Sequence, residues 1–269
     1  MDIVALDIGS VAAKALLWSA GEGVIKAVSQ VPSAWQPQAA AKEALAALYE
    51  AAPLNGRPPV AALTGYGRAL MEKNEAVGAG PVWQFNEIKA LARGLNHVAP
   101  EVRLILDVGG QDSKALAIDD RGRVLDFILN DKCAAGAGAF IDGVCLSFDL
   151  SREEFGALAA AGRPAPLNSM CAVFAQTELV AQIAQGVSRA DLAAGILASL
   201  ATRLKTQCGR LFAGGSAVAL TGGLSRLDAF VELLRGALAA PVMVPPWAPY
   251  LAALGAALLA AEKAGLGAA

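Results

Sequence analysis

Cys133 stands in the stretch NDKCAAGAGAF, residues 130 to 140, directly ahead of a run of Gly and Ala. Small residues let backbone N–H groups approach a bound group closely, and a helix start offers unpaired donors with a partial positive charge. Such a setting stabilises a thiolate or an anionic sulfur cluster. A tight, buried turn around an inert thiol would carry the same residues. The other cysteines are Cys145, Cys171 and Cys208, and no two of them form a CxxC pair. Any metal site must therefore gather cysteines from distant segments or from two chains. Cys145 and Cys208 lie in apolar helical stretches and read as packed core thiols.

A second kind of chemistry is written in an internal echo. Residues 3 to 18 read IVALDIGSVAAKALLW and residues 103 to 118 read RLILDVGGQDSKALAI. Asp7 matches Asp107, Gly9 matches Gly109, and Lys14-Ala15-Leu16 matches Lys114-Ala115-Leu116. In each copy an apolar strand runs into Asp-x-Gly, a turn of small polar residues follows, and a second apolar strand leaves. The N–H groups of such a turn can contact phosphate oxygens while the carboxylate positions a hydrated Mg²⁺. TGGLSR at 221–226 would add a third loop, where Gly222 and Gly223 allow close approach to a nucleotide. Any one of these turns alone also fits an ordinary hairpin. Their recurrence in this order predicts duplicated lobes with phosphates held in a cleft between them.

The elements that must position these loops follow from periodicity. Helical patterns cover 39–51, 86–97, 137–148, 152–161, 171–185 and 191–212, with a further helix after TGG and a closing one from Tyr250. Strands are expected at the four echo segments, at 60–65, 124–129 and 217–221, and briefly at 242–244. The predicted domains are an N-terminal lobe, 1–98, joined by the C-terminal helix 250–265, and a second lobe, 99–249.

Composition excludes several classes. Hydrophobic residues make up 55% of the 269, much of it Ala. The apolar run 251–261 is too short for a bilayer, which needs roughly 20 residues. No basic region or cleavage site precedes the first strand, which predicts a cytoplasmic protein. A net charge of −2 argues against a nucleic-acid partner. His97, the one histidine, sits at a helix end and reads as a cap or surface residue.

DIGSVAAK, NEIKALARG, DVGGQDSK and TGGLSR, in that order, resemble the first phosphate loop, connecting helix, second phosphate loop and adenosine loop of the actin–Hsp70–sugar-kinase superfamily. With NDKCAAGAGAF, SMCAVFAQTE and TGYGR (64–68), the chain resembles the ATP-dependent activators of 2-hydroxyacyl-CoA dehydratases. That group includes the electron-activating subunits of benzoyl-CoA reductases. The resemblance runs over nearly the whole chain. It implies an α/β, two-lobed actin-like ATPase with ribonuclease H-like duplicated lobes and a nucleotide cleft between them. Two identical or similar subunits would share one [4Fe–4S] cluster through Cys133 and Cys171 of each, so a homodimer is expected.

The same resemblance implies residue roles. ATP or ADP would bind through Asp7, Gly9, Ser10, Lys14, Gly109, Gly110, Gln111, Asp112, Gly222, Gly223 and Arg226. Asp7 and Asp107 would hold Mg²⁺ through water. Asp107 or Gln111 would orient the attacking water, with Glu87 in support. Hydrolysis would change the angle between lobes and send one electron, supplied by ferredoxin or flavodoxin, to a dehydratase or reductase component. Val11 and Ala12 stand where the family usually has threonines, and the first cysteine is followed by GAG where GTG is usual. Ala172 and Gln176 likewise replace an expected Thr and Glu. The alternative is a sugar or small-metabolite kinase of the same superfamily with incidental cysteines; a filament-forming actin-like protein gives no reason for the cysteine motif.

Overall fold

A computed structural model describes residues 1–33, 35–54, 60–71, 80–131, 138–167, 172–211 and 216–266. By internal packing the chain divides into two units, one of Met1–Glu101, Ile118–Leu125 and Pro246–Ala269, the other of Val102–Ala117 and Asp126–Pro245.

The first unit is built on β1 (Asp2–Ile8), β2 (Ala12–Ser19), β3 (Val24–Pro32), β4 (Val60–Thr64) and β5 (Val82–Gln84). Their order across the sheet is β3-β2-β1-β4-β5. Strand β1 is buried along nearly its whole length, as a central strand covered on both faces must be. It runs antiparallel to β2 and parallel to β4. Helix α1 (Pro37–Ala51) lays Ala40, Ala41, Ala44, Leu45 and Leu48 onto one face. Helices α2 (Glu87–Val98) and α8 (Leu251–Lys263) pack together through Gly94 and Gly255. A Cβ on Gly255 would lie 1.7 Å from the Ala90 carbonyl oxygen, so this approach requires glycine. Asn86 caps α2 by accepting from the amides of Ile88 and Lys89.

The second sheet is built from β6 (Leu104–Val108), β7 (Ser113–Ile118), β8 (Val124–Asn130), β9 (Val218–Gly222) and β10 (Val242–Met243), all in the second unit but for Ile118, Val124 and Leu125. The sheet order is β10-β9-β6-β7-β8, which is the first sheet's order read from its other edge. Again the first strand of the hairpin is antiparallel to its successor and parallel to the later strand. The echo in sequence is therefore a duplicated topology. Among the described residues the helices that accompany this sheet are α3 (Gly138–Phe148), α4 (Arg152–Ala161), α5 (Ala172–Ala184), α6 (Arg189–Cys208) and α7 (Asp228–Leu238). Ile141, Phe148, Phe155, Leu197, Leu200 and Phe230 fill the core beside Leu106 and Leu220. Ser151 closes a capping box with Glu154 at the start of α4, and Ser188 caps α6.

Strands β3 and β5 are additions to the sequence reading. Strand β3 is an edge strand, only partly buried and ending at Pro32, and β5 is three residues long. Edge strands need not carry the continuous apolar run that marks a central one.

Candidate nucleotide-binding loops

In the first unit Asp7 and Lys14 are opposite one another in the β1–β2 register, with Lys14 Nζ 3.6 Å from Asp7 Oδ2. Asp7 is buried. The turn between them is tied down through its carbonyls. Ala12 O accepts from the Gly9 amide (3.1 Å), Gly9 O from the Ser33 hydroxyl (2.9 Å), and Val11 O from the Ser33 amide (2.8 Å). The amides of Ser10 and Val11 find no acceptor among the described residues. The turn thus has its oxygens engaged within the protein and its N–H groups to offer, which is the arrangement of an anion-binding nest.

The second unit repeats the device with different partners. Asp107 faces Lys114 in register, and Lys114 Nζ lies 3.6 Å from Asp107 Oδ2 and 2.7 Å from Asp112 Oδ2. Lys114 is buried beside the two carboxylates. The Gly109 amide donates to Asp112 O (2.9 Å). The loop's outer carbonyls are held by a helix: the Gly138 amide donates to Gly109 O (2.8 Å) and the Ala139 amide to Gly110 O (2.7 Å). Two of the donors that the start of α3 presents therefore serve this loop. Gly110 and Gln111 keep their amides without an acceptor among the described residues.

The parallel neighbours of β1 and β6 repeat as well. The tetrapeptide Ala-Leu-Thr-Gly occurs at 62–65 and again at 219–222, which sets Thr64 beside Asp7 and Thr221 beside Asp107. The Thr221 hydroxyl donates to Asp107 Oδ1 at 2.6 Å, whereas Thr64 donates to Phe85 O, two residues before Glu87. Gly65 and Gly222 have φ of +86° and +80°. A Cβ at Gly222 would sit 2.3 Å from Val108 O, and one at Gly65 would sit 2.6 Å from Asp7 Oδ1. Each glycine lets the end of its strand close onto the loop beside it. The following turn is locked in both: Ser225 donates to Gly222 O (2.7 Å) and Arg68 to Gly65 O (2.9 Å).

The expected residues fall into two sets. Asp7, Gly9, Ser10 and Lys14 lie on one loop of the first unit, and half-buried Glu87 opens α2 in that unit. Asp107, Gly109, Gly110, Gln111 and Asp112 share one loop of the second unit, with Gly222, Gly223 and exposed Arg226 on the neighbouring turn. Cys133 and Cys171 lie outside the described residues. Cys145 and Cys208 are buried in the helical core; burial raises the Cys145 thiol and pushes that of Cys208 up to about 12. His97 sits edge-on to Trp18 at 5.3 Å, its pKa lowered by burial and by Arg93. Sequence reasoning missed Thr221 and Ser33. The repeated Ala-Leu-Thr-Gly could have revealed the first; nothing local marks the second.

A model of the BadF/BadG/BcrA/BcrD ATPase family matches residues 4–260. The chain is 33% identical over 268 residues to the activator of lactoyl-CoA dehydratase from Anaerotignum propionicum, covering 98% of this chain and 99% of that one. Its structure is similar to the activator of 2-hydroxyisocaproyl-CoA dehydratase from Clostridium difficile with bound ADPNP, at a TM-score of 0.87 and 31% identity over 98% and 96% of the two chains. A ROK family glucokinase from Streptomyces griseus shares the fold alone, with a TM-score of 0.60 and 15% identity over 97% of this chain and all (100%) of that one. The duplicated sheets are those of the actin-like ATPase fold. Among the described residues no helix is long and apolar enough to cross a membrane.

Proposed function

The chain belongs to the BadF/BadG/BcrA/BcrD ATPase family, and from that premise we propose that it is an ATP-hydrolysing activator, driving single electrons at low potential onto an acyl-CoA dehydratase or related reductase component. The observation that carries this reading is the matched pair of Asp–Lys loops, each with its carbonyls tied inward and its amides available to phosphate. Asp7 and Asp107 are hard oxygen donors of the kind that Mg²⁺ takes through its water shell. Asp107, held at one oxygen by Thr221 and near Lys114 at the other, keeps a fixed orientation towards an attacking water, with Gln111 on the same loop. Phosphoryl transfer relies on positioning and charge stabilisation, so a few such groups suffice.

The thiol inventory fits a shared [4Fe–4S] cluster. Cys145 and Cys208 are core groups that burial keeps protonated, which leaves Cys133 and Cys171 as ligands from each subunit of a homodimer. When bound, the cluster would supply a one-electron carrier, recharged by ferredoxin or flavodoxin. The deciding experiment measures ATP hydrolysis and iron content of anaerobically purified protein and of Asp107→Asn. Hydrolysis should fall at least about a hundredfold in the variant with iron unchanged. A variant within about twofold of the parent would refute the role of Asp107. A parent that binds no iron and phosphorylates a sugar would refute the activator reading altogether.

A further inference from the structure

Helix α3 begins five positions after Cys133; its first turn is hydrogen-bonded to the loop of Gly109 and Gly110 and lies beside the turn that starts at Gly222. Its Gly138 and Ala139 amides hold the carbonyls of Gly109 and Gly110. One turn along, Asp142 takes a two-pronged contact from Arg152, the first residue of α4: Nε donates to Oδ1 and Nη2 to Oδ2 (2.7 Å). The same guanidinium lies against the other loop. A Cβ on Gly223 would stand 3.0 Å from Arg152 Nη1, and one on Gly138 would stand 3.3 Å from Nη2 and 3.5 Å from Leu224 Cδ1. Among the described residues Arg152 donates to Asp142 through Nε and Nη2, which leaves Nη1 as the nitrogen that faces Gly223.

Among the described residues the first unit shows no counterpart to this arrangement: there Ser33, just past the end of β3, holds the carbonyls of Gly9 and Val11. The two copies differ here, where the helix that follows the Cys133 segment holds the second loop. We propose that Arg152, fixed by Asp142, is a positioning residue that makes the first turn of α3 respond to the nucleotide held by the second unit's loops. A ligand resting on Gly110, Gln111 and Gly223 touches the groups to which α3 is bonded on one side and Arg152 on the other. Any shift of those loops must then move the helix start or break its bonds. A planar fork is required for this, since a lysine offers a point charge and cannot grip Asp142 and face Gly223 at once. The inference rests on the nucleotide reading given above.

The test is hydrogen exchange by mass spectrometry on the anaerobically purified full-length protein, with and without ADP and ADPNP, for the parent and for Arg152→Gln, Arg152→Lys and Asp142→Asn. In the parent, nucleotide should slow exchange in the peptide 138–148. In all three variants that slowing should shrink roughly tenfold, the scale of a lost charge-assisted hydrogen bond, while the peptide carrying Ser10 to Lys14 keeps its full response. Arg152→Lys failing alongside Arg152→Gln is part of the expectation. A purely structural pair would raise exchange equally with and without nucleotide and leave the ratio intact, which would overturn the proposal. So would a parent whose α3 peptide ignores nucleotide while the first loop responds. A parent in which nucleotide alters exchange nowhere would overturn the nucleotide reading itself, and this inference with it. Asp142→Asn, nearly isosteric, keeps the test decisive if the Arg152 variants fold poorly.

Discussion

Replacing Gly222 with alanine tests the geometry that joins β9 to the second loop. The residue has φ +80° and ψ −171°, a region of backbone space that is essentially confined to glycine. The new Cβ would lie 2.3 Å from Val108 O, 2.7 Å from Val108 C and 3.0 Å from Val108 N. All three are backbone atoms of the neighbouring strand, so no side chain can swing aside. The end of β9 must separate from β6, and Thr221 is drawn away from Asp107, to which it now donates at 2.6 Å. Backbone strain of about 1–3 kcal/mol adds to the loss of a hydrogen bond to a charged group, about 1.5–3 kcal/mol, giving about 2.5–6 kcal/mol in all. For a chain of this size that lowers the melting temperature by roughly 5–24 °C. Calorimetry with and without ADP measures it, and nucleotide affinity should fall with stability. Gly236→Ala is the control: it sits in α7 with nothing within 4 Å of its added Cβ and should stabilise by about 0.5–1 kcal/mol. If Gly222→Ala melted within about 2 °C of the parent, the described closure of strand and loop would be wrong.

Ser33→Ala removes the hydroxyl that holds Gly9 O and should weaken ADP binding about fivefold, the worth of one neutral hydrogen bond; unchanged affinity by calorimetric titration would count against the first loop. Cys133→Ser and Cys171→Ser should each strip iron and sulfide from the protein, while Cys145→Ala and Cys208→Ala retain about four irons per dimer, and full iron in Cys133→Ser would dismiss the shared cluster. Chelating the iron should turn the dimer into monomers without loss of secondary structure; light scattering with circular dichroism on the same samples decides this, and a holo-protein that is already monomeric would refute it.

What the sequence determined by itself lies where a residue's own neighbours set its fate. The runs IVALDI and LILDV could only be central strands, because continuous apolar residues need cover on both faces, and Asp-x-Gly closed each into a hairpin. Asn86 and Ser151 cap their helices through contacts two and three residues away, so those starts are set locally. The isolation of Cys145 and Cys208 in the core was legible from their apolar surroundings. Tertiary structure decided the rest, because the deciding contacts span long distances along the chain. Thr221 reaches Asp107 only because β9 lies parallel to β6, and Ser33 reaches Gly9 only because β3 brings it back past the turn. The edge strand β3 owes its existence to the open hydrogen-bonding edge of β2, not to its own mixed residues. The two lobes share a pattern of hairpin residues, yet a strand end clamps one loop and a helix clamps the other. No local spacing encodes that difference: it arises where a backbone carbonyl meets whichever donor the rest of the fold carries to it.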